Sequence, residues 1–293
     1  MSHLSSPKLY AYLALGTGLL IIGSSGLFIR WADAPGTITA CYRMGIPVFL
    51  LAYPFLRQVK ARDEQLPRKG VLLAVLGGIF FGCDMALWAT GVTMSGATNP
   101  TLMSNTAPVW VGLGSVLIFR ERQHGKFWIG LSIALAGAAV VMLEDVSQAT
   151  ELGLGSFLGL LAGLFYGAFQ LTSQKGRILL NTFTYFYITT GSTFLILFLC
   201  NVFFRQSFTG YNPMTYIIFL IFGAVVQVFG WLTINYAQGY LPAAIIAPTL
   251  MGQPVVTAVL ASLLLGETFT LRHIVGGVAV LFGVYVVHRS RLS

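Results

Sequence analysis

Two ionisable residues lie deep inside apolar stretches of this sequence: Arg43 in ITACYRMGIPVFL and Asp84 in FFGCDMALWAT. Charged side chains are costly in such surroundings and tend to be retained for function. Arg43 allows two readings: a snorkelling or paired structural cation, or a functional one. Asp84 also allows two. One is an ion pair with Arg43 or a protonated, hydrogen-bonded acid. The other is a proton site or a partner for a substrate ammonium. Polar and aromatic residues recur around them at helical spacing. Asp84 and Trp88 are four apart and share a helix face. Gln227, Trp231 and Asn235 repeat that spacing, with Tyr236 beside them and Gln238 beyond. Tyr166, Gln170 and Ser173 form a shorter stripe. Amides can fix the polar ends of a small molecule while aromatic rings cover its apolar part. The same residues could instead serve as interhelical hydrogen-bonding glue.

Other chemistry is poorly represented. His3, His124, His273 and His288 have no metal-ligand spacing. There is no Walker A sequence and no GxSxG in a strand-turn-helix context. Cys41, Cys83 and Cys200 sit in apolar runs and read as small packing residues. No catalytic residue, metal or cofactor is expected, and hence no enzyme.

The elements that must position these residues follow from composition. The chain is 56% hydrophobic and 9% charged, against about 25% charged in a soluble domain. A lipid-facing surface is the simplest explanation, so the bilayer is the first expected partner. A spanning helix needs about 20 apolar residues. Ten such segments are predicted, at about 9–29, 36–56, 71–92, 97–119, 126–143, 152–174, 182–203, 214–237, 241–265 and 270–288. The runs are too long and too continuously apolar for barrel strands. The net charge of +8 resides in short loops, without a basic stripe interleaved with aromatics, so nucleic acid is not an expected partner. With the N-terminus inside, the inner side collects Lys8, Arg57, Lys60, Arg62, Arg68, Lys69, Arg120, Arg122, Lys126, Lys175, Arg177, Arg289 and Arg291. The outer side collects Arg30, Arg205 and Arg272. This asymmetry puts both termini in the cytoplasm.

The chain is also written twice. Residues 248–287 repeat residues 102–141 without a gap, at a displacement of 146 positions. Pro108 falls on Pro254, Glu121 on Glu267, Gly130 on Gly276 and Gly137 on Gly283. Two copies are expected, 1–147 and 148–293, each of five helices. An odd number of spans inverts the second copy, and inverted repeats with a midplane site mark secondary transporters. Prolines interrupt the fourth and ninth spans: Pro100 and Pro108 flank Asn105 in one, and Pro242, Pro248 and Pro254 with Gln253 lie in the other. Such interruptions free backbone carbonyls at membrane depth. They read as packing kinks, as part of a site, or as hinges. Gly155, Gly159, Gly163 and Gly167 in the sixth span read as a surface for close helix approach.

The pattern of Pro108, Glu121 and Gly130, repeated as Pro254, Glu267 and Gly276, resembles the EamA-type domain of the drug/metabolite transporter superfamily. The resemblance covers the whole chain. It implies an all-α membrane protein, with helices 1, 3, 4, 6, 8 and 9 around a central cavity and helices 5 and 10 apart. Similar members carry amino acids, drugs, sugars and nucleotide sugars. The first helix lacks the acidic residue that small multidrug relatives use for proton coupling. Together these readings give an expected carrier of small organic solutes, amino acids or related metabolites, exported across a bacterial inner membrane by alternating access. The alternative is a drug or toxicant efflux pump coupled through Asp84. The residues expected at the substrate are Asp84, Trp88, Asn105, Tyr166, Gln170, Gln227, Trp231, Asn235, Tyr236 and Gln253. Pro100, Pro108, Pro248 and Pro254 are expected as hinges. A monomer suffices, and the oligomeric state is left open.

Overall fold

The computed structural model describes residues 6–61, 65–95, 98–141, 153–266 and 270–290. Glu267, His3, Arg62 and Arg291 lie outside the described residues. Long apolar runs leave the backbone no partner but its own helix. The described residues accordingly form helices and connections, with no strand among them. In chain order the helices are α1 (Ser6–Gly23), α2 (Ser25–Ala32), α3 (Gly36–Leu50), α4 (Ala52–Lys60), α5 (Arg68–Ser95), α6 (Thr98–Ser104), α7 (Ala107–Leu117) and α8 (Gly125–Val141). There follow α9 (Leu154–Leu179), α10 (Thr182–Phe203), α11 (Pro213–Ile221), a π-helix (Phe222–Gly230), α12 (Trp231–Gln238), α13 (Ala243–Leu250), α14 (Gln253–Leu265) and α15 (Leu271–Arg289).

Helix occupies every segment predicted from the sequence, but several segments are not single helices. Among the described residues, seven helices are long and apolar enough to cross a membrane, and an eighth if α3 and α4, bent by 45°, count as one span. The fourth segment is split into α6 and α7, neither long enough alone. The chain is therefore an all-helical, multi-pass membrane protein. Its outer surface fits lipid: Phe49, Leu117, Phe203 and Leu263 are exposed, and Leu117 and Leu263 are duplicated positions.

The breaks in the fourth and ninth segments fall at residues 105–106 and 251–252, the same place in each copy. Pro108 and Pro254 stand in the first turn of the helix that follows each break, where a missing N–H costs nothing. Pro248 lies inside α13 and Pro100 inside α6.

The chain packs as two compact units. Unit 1 holds residues 1–86 and 172–242, and unit 2 holds residues 87–171 and 243–293. Each unit takes segments from both halves of the sequence, so packing units and sequence copies differ.

In unit 1, α10 lies beside α3 and α5. Its start is capped by Asn181, whose side chain accepts from the Thr184 N–H at 2.8 Å. Asn201 donates to the Thr37 carbonyl at 3.1 Å, and Tyr187 to the Val48 carbonyl at 3.2 Å, so α3 and α10 run antiparallel. Thr189 donates to the Ala74 carbonyl at 3.2 Å and Thr193 to that of Gly78 at 3.0 Å, so α5 and α10 run parallel.

In unit 2, α8 and α15 cross with backbones nearly touching. A Cβ at Gly130 would lie 2.7 Å from the Gly283 carbonyl oxygen, and one at Gly137 would lie 2.7 Å from that of Gly276. The pairing of 130 with 283 and 137 with 276 makes the two helices antiparallel. The helices α8 and α15 occupy corresponding places in the two copies, as do α3 and α10. Each unit thus contains one matched pair, and both pairs run in opposite directions.

Candidate functional site

Unit 1 holds several buried polar groups. Arg43, 8% exposed, donates from Nε to Oε1 of Gln227 at 2.8 Å. Its guanidinium carbon lies 4.6 Å from the centre of the Phe222 ring, a cation–π geometry. Trp231 is buried, with its ring centre 4.8 Å from that of Phe81. Asn235 is buried, and its amide donates to the Trp231 carbonyl at 2.8 Å. Tyr236 is half-buried, with its ring 5.0 Å from Tyr240. Asp84 is 8% exposed. Among the described residues no hydrogen bond or ion pair to its carboxyl group is present. The ion pair with Arg43, one of its expected readings, is not formed; Gln227 takes the Arg43 Nε instead.

The segment carrying Gln227 departs from expectation. An unbroken helix was expected from 214 to 237, but residues 222–230 are wound as a π-helix. Glycines bound the tight packing there. A Cβ at Gly223 would lie 2.8 Å from Ile46, and one at Gly230 would lie 2.9 Å from Ile22. Wide turns of this kind occur frequently at functional sites.

A third ionisable group, unmarked in the sequence reading, belongs to unit 1. Arg177 was expected in a cytoplasmic loop. Instead α9 runs on to Leu179, and Arg177 is buried in its last turn. Its Nε donates to the Asn235 carbonyl at 2.7 Å and one terminal nitrogen donates to Thr182 Oγ1 at 2.7 Å. The other donates to the Leu180 carbonyl. A cation at a helix C-terminus complements the helix dipole. Here it also ties the ends of α9 and α12 to the start of α10.

Unit 2 holds the other expected residues. Trp88 donates from its indole nitrogen to Thr101 Oγ1 at 2.9 Å. Asp84 and Trp88 share a helix but fall in different units. Asn105 stands in the break after α6, its backbone N–H donating to the Thr101 carbonyl at 3.0 Å. Tyr166 stacks on Phe169 with centroids 5.9 Å apart. Gln170 is fully buried, and Gln253 opens α14. The glycine stripe of α9 packs on the broken helix. A Cβ at Gly159 would lie 2.4 Å from the Pro100 carbonyl oxygen, and one at Gly163 would lie 3.0 Å from those of Met103 and Ser104. Ser173, in unit 1, bonds the Tyr185 hydroxyl at 2.9 Å and is structural.

Known proteins share this layout. Residues 9–143 and 153–289 each match the model of the EamA-like transporter family. A Clostridium kluyveri protein named "Uncharacterized transporter" is 21% identical over 259 residues, spanning 83% of this chain and 82% of its own. An Archaeoglobus fulgidus protein of the same name is 30% identical over 194 residues, spanning 65% of this chain and 67% of its own. A solved structure titled "Crystal structure of protein" superposes with a TM-score of 0.78 over 94% of this chain and 96% of that one. The two are 14% identical, which shows a shared fold.

Proposed function

The chain belongs to the EamA-like transporter family, and from that premise we propose a secondary carrier that exports amino acids, aromatic ones included, or related metabolites. Ten spans, arranged as two inverted five-helix copies (1–147 and 148–293), would rock about a midplane site. One observation carries this reading: corresponding helices of the two copies pack antiparallel, α8 on α15 in one unit and α3 on α10 in the other. Inverted copies with helices broken at matching places are the usual frame of a midplane solute site.

The breaks at 105–106 and 251–252 serve as hinges, with Pro100, Pro108, Pro248 and Pro254 setting where each helix yields. In unit 2, Trp88 and Tyr166 offer apolar cover for a solute, and Asn105, Gln170 and Gln253 offer polar groups. In unit 1, Trp231 and Tyr236 offer apolar cover and Asn235 a polar group, while Gln227 acts by holding Arg43. Lys8, Arg57, Lys60, Arg68, Lys69, Lys126 and Arg289 support cytoplasmic termini in a bacterial inner membrane. Arg177, being buried, no longer counts toward that asymmetry.

A second reading rests on a different observation. Asp84, buried and without a hydrogen-bonding partner among the described residues, suits a cationic drug or a coupling proton. One experiment separates the two: uptake into proteoliposomes from a labelled pool of amino acids, cationic dyes and sugars, with and without a pH gradient. Amino-acid uptake is expected. Uptake of dyes alone would favour the second reading, and uptake of sugars alone would reject both.

A further inference from the structure

Two buried acceptors of unit 1 have no donor, and they belong to facing helices. The Asp84 carboxyl group on α5 is 8% exposed and receives no bond from the described residues. On α12, Asn235 is 3% exposed, and its Oδ1 has no hydrogen-bonding partner among the described residues. Burying a polar group without a partner is costly. Each acceptor therefore suits a donor that the protein itself does not bring.

Helix direction fixes how the two stand to one another. A Cβ at Gly82 would lie 2.7 Å from Ile196, so Phe81 on α5 is level with about residue 195 of the parallel α10. Phe81 meets Trp231 at the start of α12. Asn235, one turn on, is tied through its carbonyl to Arg177, which also reaches Leu180 and Thr182 beside the start of α10. Thus α12 runs antiparallel to α10, and to α5 with it. Asp84 is three residues past Phe81, and Asn235 is four past Trp231. They lie on opposite sides of the ring contact, about 10 Å apart along the axes. Helical side chains lean toward the N-terminal end of their own helix, as Asn235 does in donating to the Trp231 carbonyl at 2.8 Å. On antiparallel helices that lean brings the two acceptors closer. Between them stand the buried rings of Phe81 and Trp231, with centroids 4.8 Å apart.

The two ends ask for different donors. A carboxylate is best met by a charged one. Asn235 offers a neutral amide oxygen, and Arg177 Nε lies 2.7 Å from the carbonyl of the same residue. That buried cation repels a second ammonium, so the donor that suits Asn235 is neutral. We infer that the solute is an ammonium joined by a short arm to an aromatic ring that bears a hydroxyl. Asp84 accepts from the ammonium, the ring lies against Phe81 and Trp231, and the hydroxyl donates to Asn235 Oδ1. The inference rests on the carrier reading above. It fits an amine and the matching amino acid alike, and it makes Asn235 the residue that tells a hydroxylated ring from a plain one.

The test compares pairs that differ only in the hydroxyl: tyramine with phenethylamine, and L-tyrosine with L-phenylalanine. Each competes for counterflow of the labelled hydroxylated member in proteoliposomes of the full chain. Wild type is expected to prefer the hydroxylated member by at least about fivefold, the scale of one hydrogen bond. O-methyltyramine, whose ether oxygen cannot donate, should compete no better than phenethylamine. Hexamethylenediamine, with a second ammonium, should compete more weakly than tyramine. Asn235→Leu should erase the preference by lowering the hydroxylated member alone. Asp84→Asn should weaken tyramine and phenethylamine about equally. Elution profile and Tm in detergent identify variants that fold, and the wild-type comparisons stand without them. The site is overturned, and the carrier left standing, by any of three results. One is a folded Asn235→Leu that keeps the preference, or a folded Asp84→Asn that keeps amine affinity. Another is a wild type that shows no preference, accepts the ether as readily, or prefers the diamine. The third is counterflow of neither labelled probe by a chain that carries other solutes. A wild type that carries no solute at all overturns the carrier reading, and this site with it.

Discussion

The two packing units both use close glycine contacts, in unit 1 at Gly78 and Gly223 among others, but they differ in their buried polar groups. Unit 2 is held by glycines that let backbones meet: Gly130 on Gly283, Gly137 on Gly276, and Gly159 on Pro100. Unit 1 is held by buried hydrogen bonds: Arg43 to Gln227, and Arg177 to three oxygens. The glycines of the α8–α15 pair are duplicated by the 146-residue displacement, but the polar groups are not. Thr189 stands where Arg43 would recur, Gly230 where Asp84 would, Phe81 where Gln227 would and Trp31 where Arg177 would. Scaffold is therefore written twice and chemistry once. A symmetric frame can present the same mechanical parts to both faces of the bilayer, whereas one solute needs only one set of binding groups.

The largest expected effect tests the scaffold side. Gly283→Leu forces a side chain into a space already occupied by the Ala134 and Gly130 backbone, at 2.5 Å from a Cβ alone. Overpacking costs about 1–3 kcal/mol, and neither backbone can give way easily. Loss of monodisperse protein, or a large drop in Tm, is expected. Gly137→Leu should do the same, because position 137 is the counterpart of 283 and a Cβ there would lie 2.6 Å from the Val280 nitrogen and 2.7 Å from the Gly276 carbonyl oxygen. If one is tolerated and the other is not, the twofold relation between α8 and α15 is broken.

Next in size is Arg177→Met. It strips donors from the Asn235 and Leu180 carbonyls, each worth about 1–3 kcal/mol when left buried and unsatisfied. Arg177→Lys should fall between, since an ammonium lacks the planar fork. A Tm equal to wild type for Arg177→Met would show that the ends of α9, α10 and α12 are tied by something else. Asp84→Asn should move Tm far less, because no bond from the described residues is lost. If Asp84 is the coupling site of the second reading, the substitution should instead abolish the stimulation of transport by a pH gradient. Unchanged stimulation would remove Asp84 from proton coupling.

Much of the scaffold was legible in the sequence because duplication writes it in residue identity. The helical segments, the matching breaks and the duplicated glycines all follow from runs and repeats that survive displacement by 146 positions. The chemistry of unit 1 was harder to read. Arg43 and Asp84 stood out against apolar neighbours, but which groups they meet depends on how α3 and α5 lie along α10, which local pattern does not record. Arg177 was hidden by its place near the end of an apolar run, where a loop and a last helical turn look alike. The π-helix left no trace, since residues 222–230 contain one polar residue, Gln227. A period of 3.6 cannot be told from a longer one on a single mark.

That altered winding yields the smallest and most local test. On a regular α-helix, a stripe of Gln227, Trp231 and Asn235 would leave Val228 and Leu232 toward lipid. The structure instead buries Val228 and exposes Val225 and Phe229. Single cysteines should be introduced at 225, 227, 229, 231 and 235 in a chain with Cys41, Cys83 and Cys200 replaced by alanine. If the stripe lines a water-filled path, a water-soluble thiol reagent should label 227, 231 and 235. Positions 225 and 229 should resist it while remaining open to a lipid-soluble reagent. Protection of 227 by added substrate, with 225 and 229 unaffected, would place the unduplicated polar set on the solute path. Equal labelling of these five positions would reject the stripe, and labelling of a sixth single cysteine, at 228, in place of 229 by the lipid-soluble reagent would return this segment to an ordinary α-helix.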